Sequence, residues 1–328
     1  MLSELGRAVD QSLRQCGSTL RVEFHDAESR ATLRRHSKES RMSLRMSFWL
    51  TLLVLSMNST ADARVIYVNN LTGSDRFNGV TQQPTSDQSG PVRTIRQALR
   101  MSHRADTIEL ARTDSPYFES FSIVGERLSG VTGQPFRIVG NGAVISGARA
   151  VPDGGWQKVG DDLWSLNPSR KGQFLLLCPS RKLVQLLPEP GQTWTKLPEL
   201  AVDQWCGYRG RIYYRSEPLD EPQSKPFGVA GHDCGITVYG VSHVLISDVT
   251  VQHFRLDGVG VPDLARNIEL RNVRMTENGR AGLSVGGSAF VTLKAGTIEK
   301  NGRNSVLITE AASVDVKNST LDQEPTLK

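Results

Sequence analysis

The stretches "ENGRAGLSV" (Glu277–Val285) and "KNGRNSVLI" (Lys300–Ile308) repeat one pattern 23 residues apart. Each holds a charged residue, Asn-Gly-Arg, a small polar or apolar pair and a short apolar alternation. Over the C-terminal third, Gly235, Gly258, Gly282 and Ser305 open successive rows at intervals of 23, 24 and 23 residues. Ile236/Val238 stand over Val259/Val261, Leu283/Val285 and Val306/Ile308. A second segment aligns Val244/Ile246 with Ile268/Leu270, Val291/Leu293 and Val314/Val316. A third aligns Val249/Val251 with Val273/Met275, Gly296/Ile298 and Ser319/Leu321. Alternation with period two marks a strand with one buried face. Three such strands per row, stacked in register, predict a parallel β-helix. A propeller blade needs a period of about 40 residues, and a leucine-rich repeat needs Leu and Asn at places where this chain lacks them.

The corner that joins the last strand of a row to the next row has its own columns. Glu277 stands under Lys300, and Asn278 under Asn301. Asparagine at such a corner is predicted to take left-handed backbone angles and to bond the main chain of its stacked neighbour. Phe254 interrupts that file one row below. The extra residue of the second row falls in "VPDLAR", at another corner, where an insertion disturbs pairing least.

The 30 glycines of the 328-residue chain favour turns and strands over long helices. The formal charge of +5 is too small and scattered to predict nucleic-acid binding. In "RMSLRMSFWLTLLVLSMNSTADA", Arg41 and Arg45 precede an apolar run over Met46–Met57 and a small-x-small site at Ala61–Ala63. This reads as a secretory signal peptide cleaved after Ala63, with a run short of the roughly 20 residues that span a bilayer. No stable membrane insertion is expected after cleavage, and the mature chain is expected to be secreted, periplasmic or on the cell surface. Met42 or Met46 is a more usual start for such a protein than Met1. Export leaves Cys178, Cys206 and Cys234, an odd number without a CxxC pair, so no zinc site is predicted.

Before the repeats, "IYVNNLTGSDRFNG" (Ile66–Gly79) leads to "GPVRTIRQALRMS" and "ADTIELARTDSPYFES". Ile95, Ala98, Leu99 and Met101 form the apolar stripe of a short helix. With the rows, these segments resemble the right-handed parallel β-helix, pectate-lyase-like superfamily of exported proteins. The resemblance covers roughly Arg64–Ala150 and Gly228–Leu321, and implies that the helix caps the first coil. The fold class is therefore all-β, a solenoid with an N-terminal capping helix and a small aromatic-rich β insert. The divisions are 1–63 for extension and signal, 64–151 for cap and first coils, 152–227 for the insert and 228–328 for the C-terminal coils. The last row stops in "STLDQEPTLK" without a covering helix, which predicts either a shortened member or a covering subunit.

The resemblance implies a carbohydrate-active protein: a polysaccharide lyase or glycoside hydrolase relative acting on an acidic glycan, with polysaccharide as the partner. Calcium is implied only for a lyase, and the residues themselves suggest no metal site. The alternatives are a non-catalytic glycan-binding or structural surface protein, or a degenerate fragment. The polygalacturonase signatures Asn-Thr-Asp, Gly-His-Gly and Arg-Ile-Lys do not occur, so candidates come from outward-facing columns. His253, Arg255 and Asp257 of "VQHFRLDG", with Asp233 of "GHDCG", form the catalytic set: His253 or Lys300 as base, Arg255 for a carboxylate, and Asp233 or Asp257 as acid. Glu277 and Lys300, stacked after His253, are assigned to substrate. Sugar rings stack on aromatic faces, and Trp194 and Trp205, flanked by polar residues, are the candidate platforms in the insert.

Overall fold

The computed structural model describes residues 63–189 and 191–328, so the signal segment up to residue 62 lies outside the described residues. In every row the apolar alternation turns one face inward. Val244, Ile268, Val291 and Val314 pair Cα to Cα in consecutive parallel strands. The first three are no more than 1% exposed, and Val314 packs on the same core. Val259, Leu283 and Val306 make a second interior file, and Met275 and Ile298 a third. The tail thus winds as three strands per coil. First strands (Cys234–Tyr239, Asp257–Val261, Ala281–Val285, Asn304–Ile308) form one sheet, which Phe121–Val124 and Thr326–Leu327 complete. Second and third strands form the other, beginning with Ser242–Gln252 and extended toward the N-terminus by Phe136–Ser146, Thr107–Leu110 and Val65–Val68. The helix Ile95–Met101 covers the first coil with Ile95, Ala98 and Leu99 buried and Met101 packed beside them. Its start is fixed by Thr94, which accepts from Gln97 N at 3.1 Å and donates to Asp75 at 2.9 Å.

The asparagine file is real, with one correction. Asn278 Oδ1 accepts from Phe254 N, and Asn301 Oδ1 accepts from Asn278 N, each at 3.0 Å. The amides also donate to Val251 O and Met275 O. The left-handed residues, however, are His253, Glu277 and Lys300, one position earlier, with φ of 63°, 54° and 56°. The bend falls there because the Asn must lie inside the corner, with its amide among main-chain groups. Phe254 takes the same inward position with 0% exposure, so hydrophobic packing continues the file where the ladder stops.

The ladder also explains the glycines that open the second and third rows, Gly258 and Gly282. A Cβ on Gly258 would stand 2.8 Å from both Asn278 Nδ2 and Gly282 O. On Gly282 it would overlap the Ile298 methyl and lie 3.0 Å from Asn301 Nδ2. Gly282→Ala is therefore expected to destabilise the chain by about 1–3 kcal/mol, as overpacking does. A urea midpoint equal to that of the parent chain would contradict this.

Between Ala148 and Ala230 the chain leaves the solenoid. Trp156–Gly160, Leu163–Leu166, Arg211–Arg215, Gln204–Tyr208 and Val184–Gln185 make one sheet; Ala148–Ala150, Gly228–Ala230 and Leu176–Leu177 make a smaller one at its foot. Aromatic rings fill the insert's own core. Trp156 meets Phe227 at 5.2 Å between centroids, and Tyr214 meets Phe227 at 5.1 Å. Cys178, Cys206 and Cys234 are all free thiols; burial pushes the Cys206 thiol up to about 11, which keeps it unreactive.

Candidate functional site

Each coil turns from its third strand into the next first strand through the left-handed file. Stacking at one strand spacing, about 4.8 Å, brings His253, Glu277 and Lys300 side by side on the outer surface. His253 Nε2 lies 2.8 Å from Glu277 Oε2. His253 Nδ1 faces Ser146 Oγ at 3.3 Å and Gln252 Nε2 at 3.4 Å, so both ring nitrogens are engaged. The Glu277 side chain is 46% exposed against 19% for His253. Left-handed backbone recurs at other corners, at Asp248, Asn272, Ala295 and Asn318, so the bend itself is architectural. What distinguishes this file is the chemistry of its side chains.

The insert rises from the same corner. Ser146 pairs with Gln252, which puts Gly147 in the place of His253 one coil earlier. A side chain at Gly147 would strike His253 O and the Phe254 ring, so glycine lets the insert depart close to the next coil. The insert then folds back over the corner. Leu175–Pro179, Arg181, Leu183 and Gln185 face His253, Glu277, Asn278, Gly279, Lys300 and Gly302 across a groove of about 500 Å3. Arg181, in the wall, is held by Asp203 at 2.9 Å and Asp220 at 2.7 Å, and also reaches Glu217; its charge is spent inside the insert.

Of the residues chosen from sequence, the groove gathers His253, Glu277 and Lys300. Arg255 does different work. Its Nη1 donates to Lys171 O at 2.9 Å and Gln173 O at 3.4 Å, and it pairs with Asp233 at 2.8 Å. Gln173 returns a hydrogen bond to Gly279 O. Arg255 and Asp233 thus form the strap that ties insert to solenoid, and Arg255 has no fork left for a substrate carboxylate. Asp257 is 5% exposed and held by Arg280 at 2.9 and 2.5 Å. It projects from a first strand and does not line the groove. Trp205 is 2% exposed and belongs to the insert's core, so it is no platform. Trp194 is partly buried and does not line the groove. The wall from Leu175 to Gln185 carries no mark of its place in the sequence, because its apolar run "QFLLLC" reads like any core strand. The position at which the insert breaks the 23-residue rhythm was the usable signal, since it fixes the corner over which the insert sits.

The strap has a pH signature. Hydrogen bonding from Arg255, opposed by partial burial and reinforced by the charges of Arg255 and Arg170, holds the Asp233 carboxyl below the ordinary carboxylate range. A depressed folded pKa contributes stability above the unfolded value of about 3.9 and loses it as pH falls through the folded value. The effect is modest, because Asp233 is 39% exposed and solvent screens the pair. Thermal unfolding of the parent chain is expected to fall more between about pH 5 and pH 3 than that of Asp233→Asn. Parallel losses in the two proteins would contradict the assignment.

Among the described residues no three His, Cys, Asp or Glu side chains converge on one point. Glu277 is the one carboxylate among the described groove residues, which does not fit the several carboxylate oxygens that calcium takes, and no step is assigned to a metal.

A family model described as a right handed beta helix region matches residues 232–324. Among solved structures the chain is similar to XylC, determined in complex with xylose, at 13% identity and a TM-score of 0.52. That superposition covers 80% of this chain and 60% of XylC, so the chain spans less than two thirds of that protein's length. A GH136 lacto-N-biosidase from Eubacterium ramulus is more distant, at 11% identity over 88% of this chain and 38% of the enzyme. Its TM-score of 0.29 is too low to carry an argument. No curated protein matches the chain. Paired registers, interior files, family model and the XylC superposition agree: the molecule has the right-handed parallel β-helix, pectate-lyase-like fold.

Proposed function

We propose that this chain is an exported carbohydrate-active protein whose corner groove takes an acidic glycan and cleaves it by β-elimination. The observation that carries this reading is the file His253–Glu277–Lys300 on the floor of a groove walled by the insert. The lysine ammonium is the groove's exposed cation, suited to a uronate carboxylate; neutralising that carboxylate acidifies the neighbouring C5 proton. Glu277 takes the proton, because both nitrogens of His253 are engaged and Glu277 is the more exposed partner. This moves the base from His253 or Lys300, where the sequence put it, to Glu277. As the C5–H bond breaks, its electrons form the C4–C5 double bond, the C4–O bond breaks, and the leaving oxygen takes a proton from water. His253 holds the carboxylate in place.

Elimination is favoured over hydrolysis by a count of groups. Glycoside hydrolysis uses two carboxyl groups flanking the bond, and among the described groove residues Glu277 is the one carboxylate. Incubating the mature chain with a panel of uronic-acid polysaccharides is expected to raise the ultraviolet absorbance of the unsaturated product. Binding without that rise, and without new reducing ends, would assign a non-catalytic glycan-binding role instead. Absence of both binding and turnover would overturn the acidic-glycan reading.

A further inference from the structure

A second concentration of positive charge lies away from the groove, between the capping helix and the first coil. Arg96 and Arg100 stand one helical turn apart, where like charges repel. They line a pocket of about 440 Å3 with Ser120, Ser122, Val124 and Arg127. Arg127 is committed to the helix end, donating to Leu99 O at 3.0 Å and Arg100 O at 3.3 Å as well as to Ser102 O. Among the described residues Arg96 and Arg100 have no ion-pair partner, and no carboxylate lines the pocket. The neighbouring carboxylate, Glu119, is turned to the backbone N–H groups of Ile95 and Arg96.

The positive field continues beyond the pocket. Arg149 Nη2 lies 3.2 Å from His232 Nε2, and since guanidinium can only donate, that nitrogen accepts and the imidazole is neutral. Burial first, then the charges of Arg149, Arg170 and Arg96, hold His232 below its usual range against the opposing Asp233. Arg170 lies 3.6 Å from Asp233, whose carboxylate Arg255 already claims at 2.8 Å. Repulsion of this kind beside an open pocket, offset only in part by the Glu119 charge that Arg96 feels, fits an anion that the protein recruits. Guanidinium forks match planar carboxylates and sulfates, while Ser122 and the exposed Val124 offer a hydroxyl and an apolar contact for a sugar ring.

We infer that the Arg96/Arg100 pocket is a second, non-reacting subsite that holds a carboxylate or sulfate group of an acidic glycan, with Arg149 reinforcing its field. This rests on the acidic-glycan reading of the groove. The test measures binding of the mature chain to a defined uronate oligosaccharide, a sulfated one, a neutral one of equal length, inorganic sulfate and duplex DNA. The expected result is that Arg96→Gln/Arg100→Gln weakens one or both acidic oligosaccharides at least tenfold, flattens the salt dependence and leaves the Tm and disaccharide turnover unchanged. Glu277→Gln should abolish turnover and leave that binding intact. Unchanged affinity in the double arginine variant would overturn the subsite. So would neutral oligosaccharide or DNA binding as tightly as the acidic glycan, or inorganic sulfate alone displacing it at equal concentration. If the arginine variant loses affinity while Glu277→Gln keeps turnover, the groove chemistry fails and the subsite stands.

Discussion

Glu277→Gln is expected to lower kcat on an acidic glycan by about 10²–10⁴-fold, the range for removing a positioned acid or base, with the Tm nearly unchanged. The amide keeps the shape of the side chain and can still meet His253, so geometry survives while the capacity to take a proton is lost. In barrier terms this is about 3–5 kcal/mol. His253→Ala is expected to act less severely and on kcat alone, because His253 orients Glu277 through the 2.8 Å contact and does not itself receive the proton. Lys300→Met is expected to raise KM as well, since a carboxylate binds the ammonium before and during reaction. Steady-state kinetics on the purified variants checks all three. Full turnover in Glu277→Gln would remove the chemistry assigned to this corner.

The second large effect is on folding. Asn278→Ala is expected to cost about 3–5 kcal/mol, read as a shift in the urea unfolding midpoint. Asn278 is 1% exposed, and its amide serves Phe254 N, Val251 O and Asn301 Oδ1. Removing it orphans the Phe254 N–H and the Val251 carbonyl inside the corner, at about 1–3 kcal/mol for each buried group without a partner. Asn278→Asp tests the same point from the other side. It keeps the acceptor for Phe254 N but loses both donor bonds and places a charge in a dry corner, so it is expected to be worse than alanine. Because Glu277 precedes Asn278, both variants should also lose activity. A midpoint within about 0.5 kcal/mol of the parent would show that the ladder adds little.

The solenoid was legible because in-register parallel stacking puts residues 23 or 24 apart into one environment. Val244, Ile268, Val291 and Val314 share a file since each pairs with the next, and their chemistry had to agree. The ladder was legible for the same reason, but its bend was displaced by one residue. Either position can supply a left-handed angle, and the choice rests on which side chain must point inward. The neighbourhood of His253, Glu277 and Lys300 was also readable, since a repeat that stacks its corners stacks their charges.

Fates of the individual charges were not readable. Arg255 is an ordinary exposed arginine in sequence, yet it is captured by two carbonyls of the insert more than 80 residues away. Asp257 alternates like a groove residue, yet Arg280 of the next coil claims it. Trp205 has polar neighbours, but strand pairing turns it against the insert's core. The sequence by itself determined the period, the interior files, the capping helix and the corner at which charges would stack. Only the tertiary structure decided which of those charges remained unpaired and where a wall would close a groove over them. Repeats encode contacts between equivalent positions one coil apart, whereas the insert's contacts join positions that no period relates.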